Sequence, residues 1–183
     1  MKLIDRFEIV DDTFYAAVFD EASYKGVNEF RRLLSQWRDR EFLFDYFERN
    51  IDKLQTPFWN EEINGDFNKK VEIIQAIDRT IDDATLFGKK MIELADGTLN
   101  GKNLDDVFFP LHKEIKHNRL DDEFKAYGIH RKSWLRFYAI KIESNQYFLA
   151  GGGIKLTKEM KDSEGLDIEL SKLEKAYRFL TSP

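Results

Sequence analysis

The apolar positions of the chain change period twice, and each change marks a class of element. Between residues 3 and 19, Phe, Ile, Val and Tyr crowd around the polar pair Asp11-Asp12, which predicts a short β-hairpin of residues 3–10 and 13–19. From Val27 the apolar steps lengthen to Phe30, Leu34, Trp37, Phe44, Phe47, Ile51 and Leu54, the spacing of a helix with one apolar face. Pro57 ends that helix or opens the next turn. After a polar stretch at 60–68, Val71, Ile74, Ile77, Ile81, Ala84, Phe87, Met91 and Leu94 recur at three- and four-residue steps. They predict a long helix closing near Asp96-Gly97. Such stripes are packing surfaces, so the two helices are expected to pair and to support a sheet.

Segment 97–101, with two glycines, reads as a loop and as the boundary between a mainly helical region 1–100 and an α+β region 101–183, which together can form one continuous domain. Asn103 is placed to cap a helix whose first turn holds Asp105 and Asp106, running through Leu111 and Ile115 toward Leu120 with a kink at Pro110. Residues 133–143 and 147–157 are apolar on both faces, as covered strands are, and flank the turn Ser144-Asn145-Gln146. Leu166, Leu170, Leu173, Tyr177 and Leu180 predict a C-terminal helix lying across this hairpin. The expected class is α+β: a small twisted antiparallel sheet whose core hairpin spans about 134–157, closed by the C-terminal helix and flanked by a mostly helical N-terminal half.

Composition removes many chemistries. The 183 residues, 42% of them apolar, suffice for one core, and no apolar run approaches the roughly 18 residues of a membrane span. There is no cysteine and no secretion-type leader, so the expected location is the cytoplasm, away from membranes, and disulfides, thiolate metal sites and a cysteine nucleophile are excluded. His112 and His117 lie five residues apart, about 140° around a helix, and cannot share a metal there. Gly151-Gly152-Gly153 before Lys155 lacks the spacing of a phosphate loop and sits inside a strand pattern, where glycines mark a bulge or a close backbone approach. Asp121-Asp122-Glu123 opens a polar segment and Asp82-Asp83 lies on a helix exterior; neither reads as an acid/base pair. No metal and no cofactor is expected.

Charge adds one location. Residues 1–100 carry 14 basic against 21 acidic side chains, whereas 111–161 carry 11 against 6, which is where an anionic ligand would bind. Arg131, Lys132, Arg136, Lys155, Lys158 and Lys161 are interleaved there with His130, Trp134, Tyr138 and, further on, Tyr177. Cations for phosphates and rings for bases are the components of a single-stranded RNA site. If Asn145-Gln146 form a two-residue turn, Arg136 falls directly opposite Lys155. Such a pair of cations on one face implies an anion or a carboxylate nearby.

The order of Pro110-Leu111-His112-Lys113, then 134–140 (Trp-Leu-Arg-Phe-Tyr-Ala-Ile), then 147–158 (Tyr-Phe-Leu-Ala-Gly-Gly-Gly-Ile-Lys-Leu-Thr-Lys), then an Ala-Tyr-Arg helix resembles the RelE/HigB-like toxins over about residues 108–181. The resemblance implies a twisted antiparallel sheet with a closing helix and a metal-independent endoribonuclease acting on messenger RNA at the ribosome. It also implies neutralisation by a cognate antitoxin. Cleavage there transfers phosphate to the RNA's own 2′-hydroxyl while cations stabilise the transition state. By similarity, Arg136 matches the strand arginine, Lys155 and Lys158 the lysines after the apolar strand, and Tyr177 a helix tyrosine, with His130 or Tyr138 as proton carrier. Arg131, Lys132, Trp134 and Lys161 would contact RNA. The competing expectation is a non-catalytic interaction module on the same scaffold, its basic face covered by the acidic N-terminal half.

Overall fold

A computed structural model describes residues 1–111, 123–129, 132–158 and 165–181. The chain is α+β. Strands β1 (Leu3–Val10) and β2 (Phe14–Phe19) form the expected first hairpin. The single helix expected over 27–54 is divided into α1 (Glu29–Gln36), α2 (Arg40–Arg49) and α3 (Ile51–Leu54). The break has a local cause: the Asp39 carboxylate accepts from the amides of Glu41 and Phe42 and so starts a new helix. Pro57 opens α4 (Pro57–Asn64) at its first position, behind the Thr56 cap. Helix α5 (Ile73–Ala95) follows its predicted stripe and begins with a capping box between Glu72 and Gln75.

The expected helix at 103–120 is not what forms at its start. Asn103 caps a single 3-10 turn, Leu104–Asp106, after which Phe109–Pro110 is the short strand β3. The remainder of that expected helix lies outside the described residues. Strand β4 (Glu123–Tyr127) was not foreseen; β5 (Leu135–Glu143), β6 (Gln146–Ile154) and α6 (Leu166–Thr181) stand where the pattern put them.

The sheet is larger than expected and mixed. Its six strands run in the order β1-β2-β6-β5-β4-β3, antiparallel throughout except for the parallel pair β2 and β6. The first hairpin thus extends the sheet built by the second half of the chain. Alternation gives the sheet two faces, both buried at the central strands β2, β5 and β6. One packs under α1, α2 and α5 through Leu33, Trp37, Phe47, Phe87 and Phe137; the other packs under α6 through Tyr15, Phe19, Tyr138, Phe148 and Leu173. This three-layer arrangement draws one sheet and its covering helices from both sides of segment 97–101. No helix among the described residues is long and apolar enough to cross a membrane.

Candidate functional site

The hairpin register differs from the one that places Arg136 opposite Lys155. Glu143 pairs with Gln146 across Ser144-Asn145, and Asn145 adopts a positive φ of 55° that a tight turn requires. Irregularities between Lys141 and Glu143 and between Tyr138 and Ala139 shift the register by one residue in opposite senses and cancel, so the pairing set at the turn is kept and Arg136 lies opposite Gly153. The two cations do not face each other; the Lys155 amide instead donates to the Trp134 carbonyl at 2.7 Å. Close packing explains the glycines. A Cβ on Gly151 would sit 2.5 Å from the Glu169 carboxylate, and one on Gly152 would collide with the Arg136 carbonyl oxygen and Leu33.

Two expected site residues belong to the core. Trp134, 1% exposed, donates its indole N–H to the Thr80 hydroxyl at 3.0 Å and packs edge-on against Phe47 and Trp59, so no base can stack on it. Tyr138 is equally covered, in the apolar layer under α6. Burial pushes its phenol well above the usual tyrosine range, which unsuits it as a proton carrier. Lys132 is exposed at the opening of the loop before β5 and pairs with Glu62 of α4 at 3.1 Å, with its ammonium 5.0 Å from the Phe58 ring. Tyr177 is half-buried against the α6 layer. Lys155 is half-buried and Lys158 exposed. His130, Arg131 and Lys161 lie outside the described residues.

Arg136 does gather aromatic and basic company, but from β4. Phe124 and Ala126 turn toward the α5 side, so Glu123, Lys125 and Tyr127 share the α6 side. Tyr127 pairs with Arg136, whose guanidinium lies 4.0 Å from the tyrosine ring centroid. The Arg136 Nη1 donates to the carbonyls of Ser133 and Leu135 at 2.6 and 2.7 Å, fixing the plane of the fork. The Lys125 ammonium is 5.8 Å from the same ring. Phe109, paired with Lys125, brings a second ring to 6.3 Å from Tyr127. The rings are open to solvent, with Tyr127 39% and Phe109 50% exposed. Among the described residues no carboxylate forms an ion pair with Arg136 or Lys125. Burial draws the Arg136 guanidinium below its ordinary range, although an arginine so placed stays charged at neutral pH.

The loop leading into β5 is fixed from beneath. Asp83 of α5, buried, accepts from the Ile129 amide at 2.8 Å and from the Ser133 hydroxyl, which in turn accepts from the Leu135 amide. This carboxylate reads from sequence as an exterior residue; it is a clamp that sets the entry of the arginine strand.

A second polar cluster had no expected role. Glu29 and Arg32 of α1 meet Glu169 and Lys172 of α6, all closely packed: Arg32 to Glu29 at 2.7 Å and to Glu169 at 3.1 Å, Lys172 to Glu29 at 3.1 Å and to Glu169 at 3.0 Å. The Gly152 amide donates to Glu169 at 2.9 Å. Burial opposes the charge of Arg32, but its hydrogen bonds to Glu29 and the charge of Glu169 hold it well above its ordinary range. Burial pushes Glu169 up, against the pull of Arg32 and Lys172. The cluster walls a cavity of about 270 Å³ that Tyr24, Trp37 and Gly153 also line. Its charges are mutually satisfied, which suits a latch between α1 and α6 better than an anion site. In sequence the only trace is an acidic-x-x-basic spacing on each helix.

Among the described residues no group of histidines and carboxylates could hold a metal ion. Compared with protein-family models, with curated proteins and with solved structures, the chain matches none of them.

Proposed function

We propose that the chain binds single-stranded RNA at the open end of β4 and β5 on the α6 side, as an RNA-directed protein of RelE-like toxin type. The observation that carries this reading is the Arg136 guanidinium over the exposed Tyr127 ring at 4.0 Å, with Lys125 and Phe109 beside it and no ion-paired carboxylate on either cation among the described residues. A ring already backed by a cation offers its outer side to a base, while Lys125 and Arg136 meet the flanking phosphates. The reading moves the aromatic part of the site from Trp134 and Tyr138 to Tyr127 and Phe109. It asks for recognition of RNA first and cleavage second, since the buried Tyr138 cannot take a proton from a 2′-hydroxyl.

The interaction-module reading retains one specific support. Lys132, a cation of the same stretch, is matched by Glu62 from the acidic half of the chain. The acidic helices, however, cover the face opposite Arg136.

The test is fluorescence anisotropy of a labelled single-stranded RNA with wild type, Tyr127→Leu and Lys125→Ala, followed by electrophoresis of the recovered RNA. Losing the stacking ring weakens binding by about 1–3 kcal/mol, or about five- to 150-fold. Losing the lysine lowers the salt slope by about 0.7. Shortened RNA marks cleavage, intact RNA marks binding alone. Equal affinity in all three proteins, or none in wild type, refutes the reading and favours the interaction module.

A further inference from the structure

We propose that β1 is a dimer interface: two copies pair their β1 strands antiparallel about a two-fold axis through Phe7, running one sheet through both molecules. Among the described residues β1 is the edge of the sheet, with no strand on its outer side, so a row of backbone donors and acceptors there lacks strand partners. It is eight residues long, and Ile4 and Phe7 are 50% and 53% exposed. The Arg6 amide donates to the Asp5 carboxylate at 2.8 Å, a local substitute for a strand partner.

The occupant follows from symmetry and charge. Between two irregularities, residues 5 to 8 pair regularly with β2, so side chains alternate strictly there. A two-fold axis that pairs a strand with its own copy in one continuous sheet keeps each face on its own side. Directly opposed residues must then differ by an even number of positions, because a one-residue slip would set opposite faces against each other. Centring on Asp5 or on Arg6 sets each of those charges against its own copy. Centring on Phe7 sets Arg6 against the second copy's Glu8, twice by symmetry, with Phe7 against Phe7. Centring on Glu8 repeats the like-charge contact, so only this register within the regular run sets unlike charges against each other.

The side chains are already arranged for it. Arg6 pairs with Ala17 and Glu8 with Tyr15, both on the α6 side, and the Arg6 guanidinium lies 4.8 Å from the Tyr15 ring. Glu8 Oε1 accepts from the Asp12 amide at 2.9 Å, which orients its carboxylate. Phe7, paired with Ala16, lies on the α5 side, where the two rings would cover each other. A second copy is therefore a better fit than a partner strand of one charge sign, since the edge presents both signs in mirrored order about Phe7.

The chain has no cysteine, so single cysteines report the register. Phe7→Cys should give a disulfide-linked dimer under mild oxidation, because directly opposed residues bring their Cβ atoms to about 4.5–5.5 Å. Asp5→Cys, four residues from its own copy in this register, should not cross-link. In sedimentation equilibrium the wild type should dimerise, and Arg6→Glu should raise the dissociation constant at least about tenfold. The charge exchange Arg6→Glu with Glu8→Arg should restore it. A monomeric wild type at every concentration overturns the proposal, as does equal cross-linking of Phe7→Cys and Asp5→Cys. A dimer indifferent to both charge variants overturns it as well.

Discussion

Replacing Lys172 by Met removes one of four charges buried between α1 and α6 while keeping most of the apolar stem. In the wild type its ammonium, 2% exposed, lies 3.1 Å from Glu29 and 3.0 Å from Glu169. Without it, two carboxylates share Arg32 in a dry site, and breaking a buried pair on one side costs about 3–5 kcal/mol. For a chain of this length each kcal/mol moves the melting temperature about 2–4 °C, so a fall of roughly 6–20 °C is expected. The deficit depends on pH. Glu169 is already pushed up by burial, and losing Lys172 raises it further, so the folded variant holds a proton more tightly than the unfolded chain. Stability from that proton is full below the unfolded value of about 4.3 and is lost as pH rises through the folded one. The penalty of Lys172→Met therefore grows from acid toward neutral pH. Adding Glu169→Gln leaves Arg32 with Glu29 and should recover at least half of the loss, a coupling that urea denaturation followed by circular dichroism measures as a double-mutant cycle. A loss below about 1 kcal/mol at neutral pH, or a double variant that merely sums the singles, refutes the latch.

Gly152→Ala puts a methyl group against the Arg136 carbonyl, which is backbone and cannot yield; a loss of about 1–3 kcal/mol in denaturant titration is expected, and wild-type stability would contradict the packing. Asp105 is held below the usual carboxylate range: burial opposes this, but hydrogen bonds from Lys141, Tyr147 and the Asn145 amide outweigh it. Its contribution is present above the unfolded value of about 3.9 and is lost as pH falls through the folded one. Asp105→Asn should thus lower stability at neutral pH and flatten its acid decline, and an unchanged acid decline would contradict the assignment.

Amphipathic period made α5 and α6 legible, and runs of β-branched and aromatic residues around polar turns did the same for the first hairpin and for β5 and β6. The parallel pairing of β2 with β6 was not legible, since nothing local in a strand names a partner more than 120 residues away. Strand β4 is five residues long, and its alternation of Glu123, Lys125 and Tyr127 against Phe124 and Ala126 is too short to stand out in a segment that Asp121-Asp122-Glu123 opens as polar. That miss carried the aromatic half of the candidate site with it. Arg136 stands out in sequence as one of a group of cations interleaved with aromatics, but Trp134 and Tyr138 beside it are core. The register difference arises at Asn145, whose left-handed backbone closes the turn one residue nearer the N-terminus than expected. The buried charges of Glu29, Arg32, Glu169 and Lys172 look in sequence like any solvated helix flank, because tertiary contact alone decides which polar face is covered.

The most direct measurement is photo-crosslinking of the full chain to a single-stranded RNA carrying 4-thiouridine, with the attached residue identified by mass spectrometry. The account predicts attachment at Tyr127 or Phe109, suppressed by competitor RNA and by raised salt. Attachment confined to Tyr24 and the cavity beside the α1–α6 cluster, or no attachment to soluble folded protein, would contradict it.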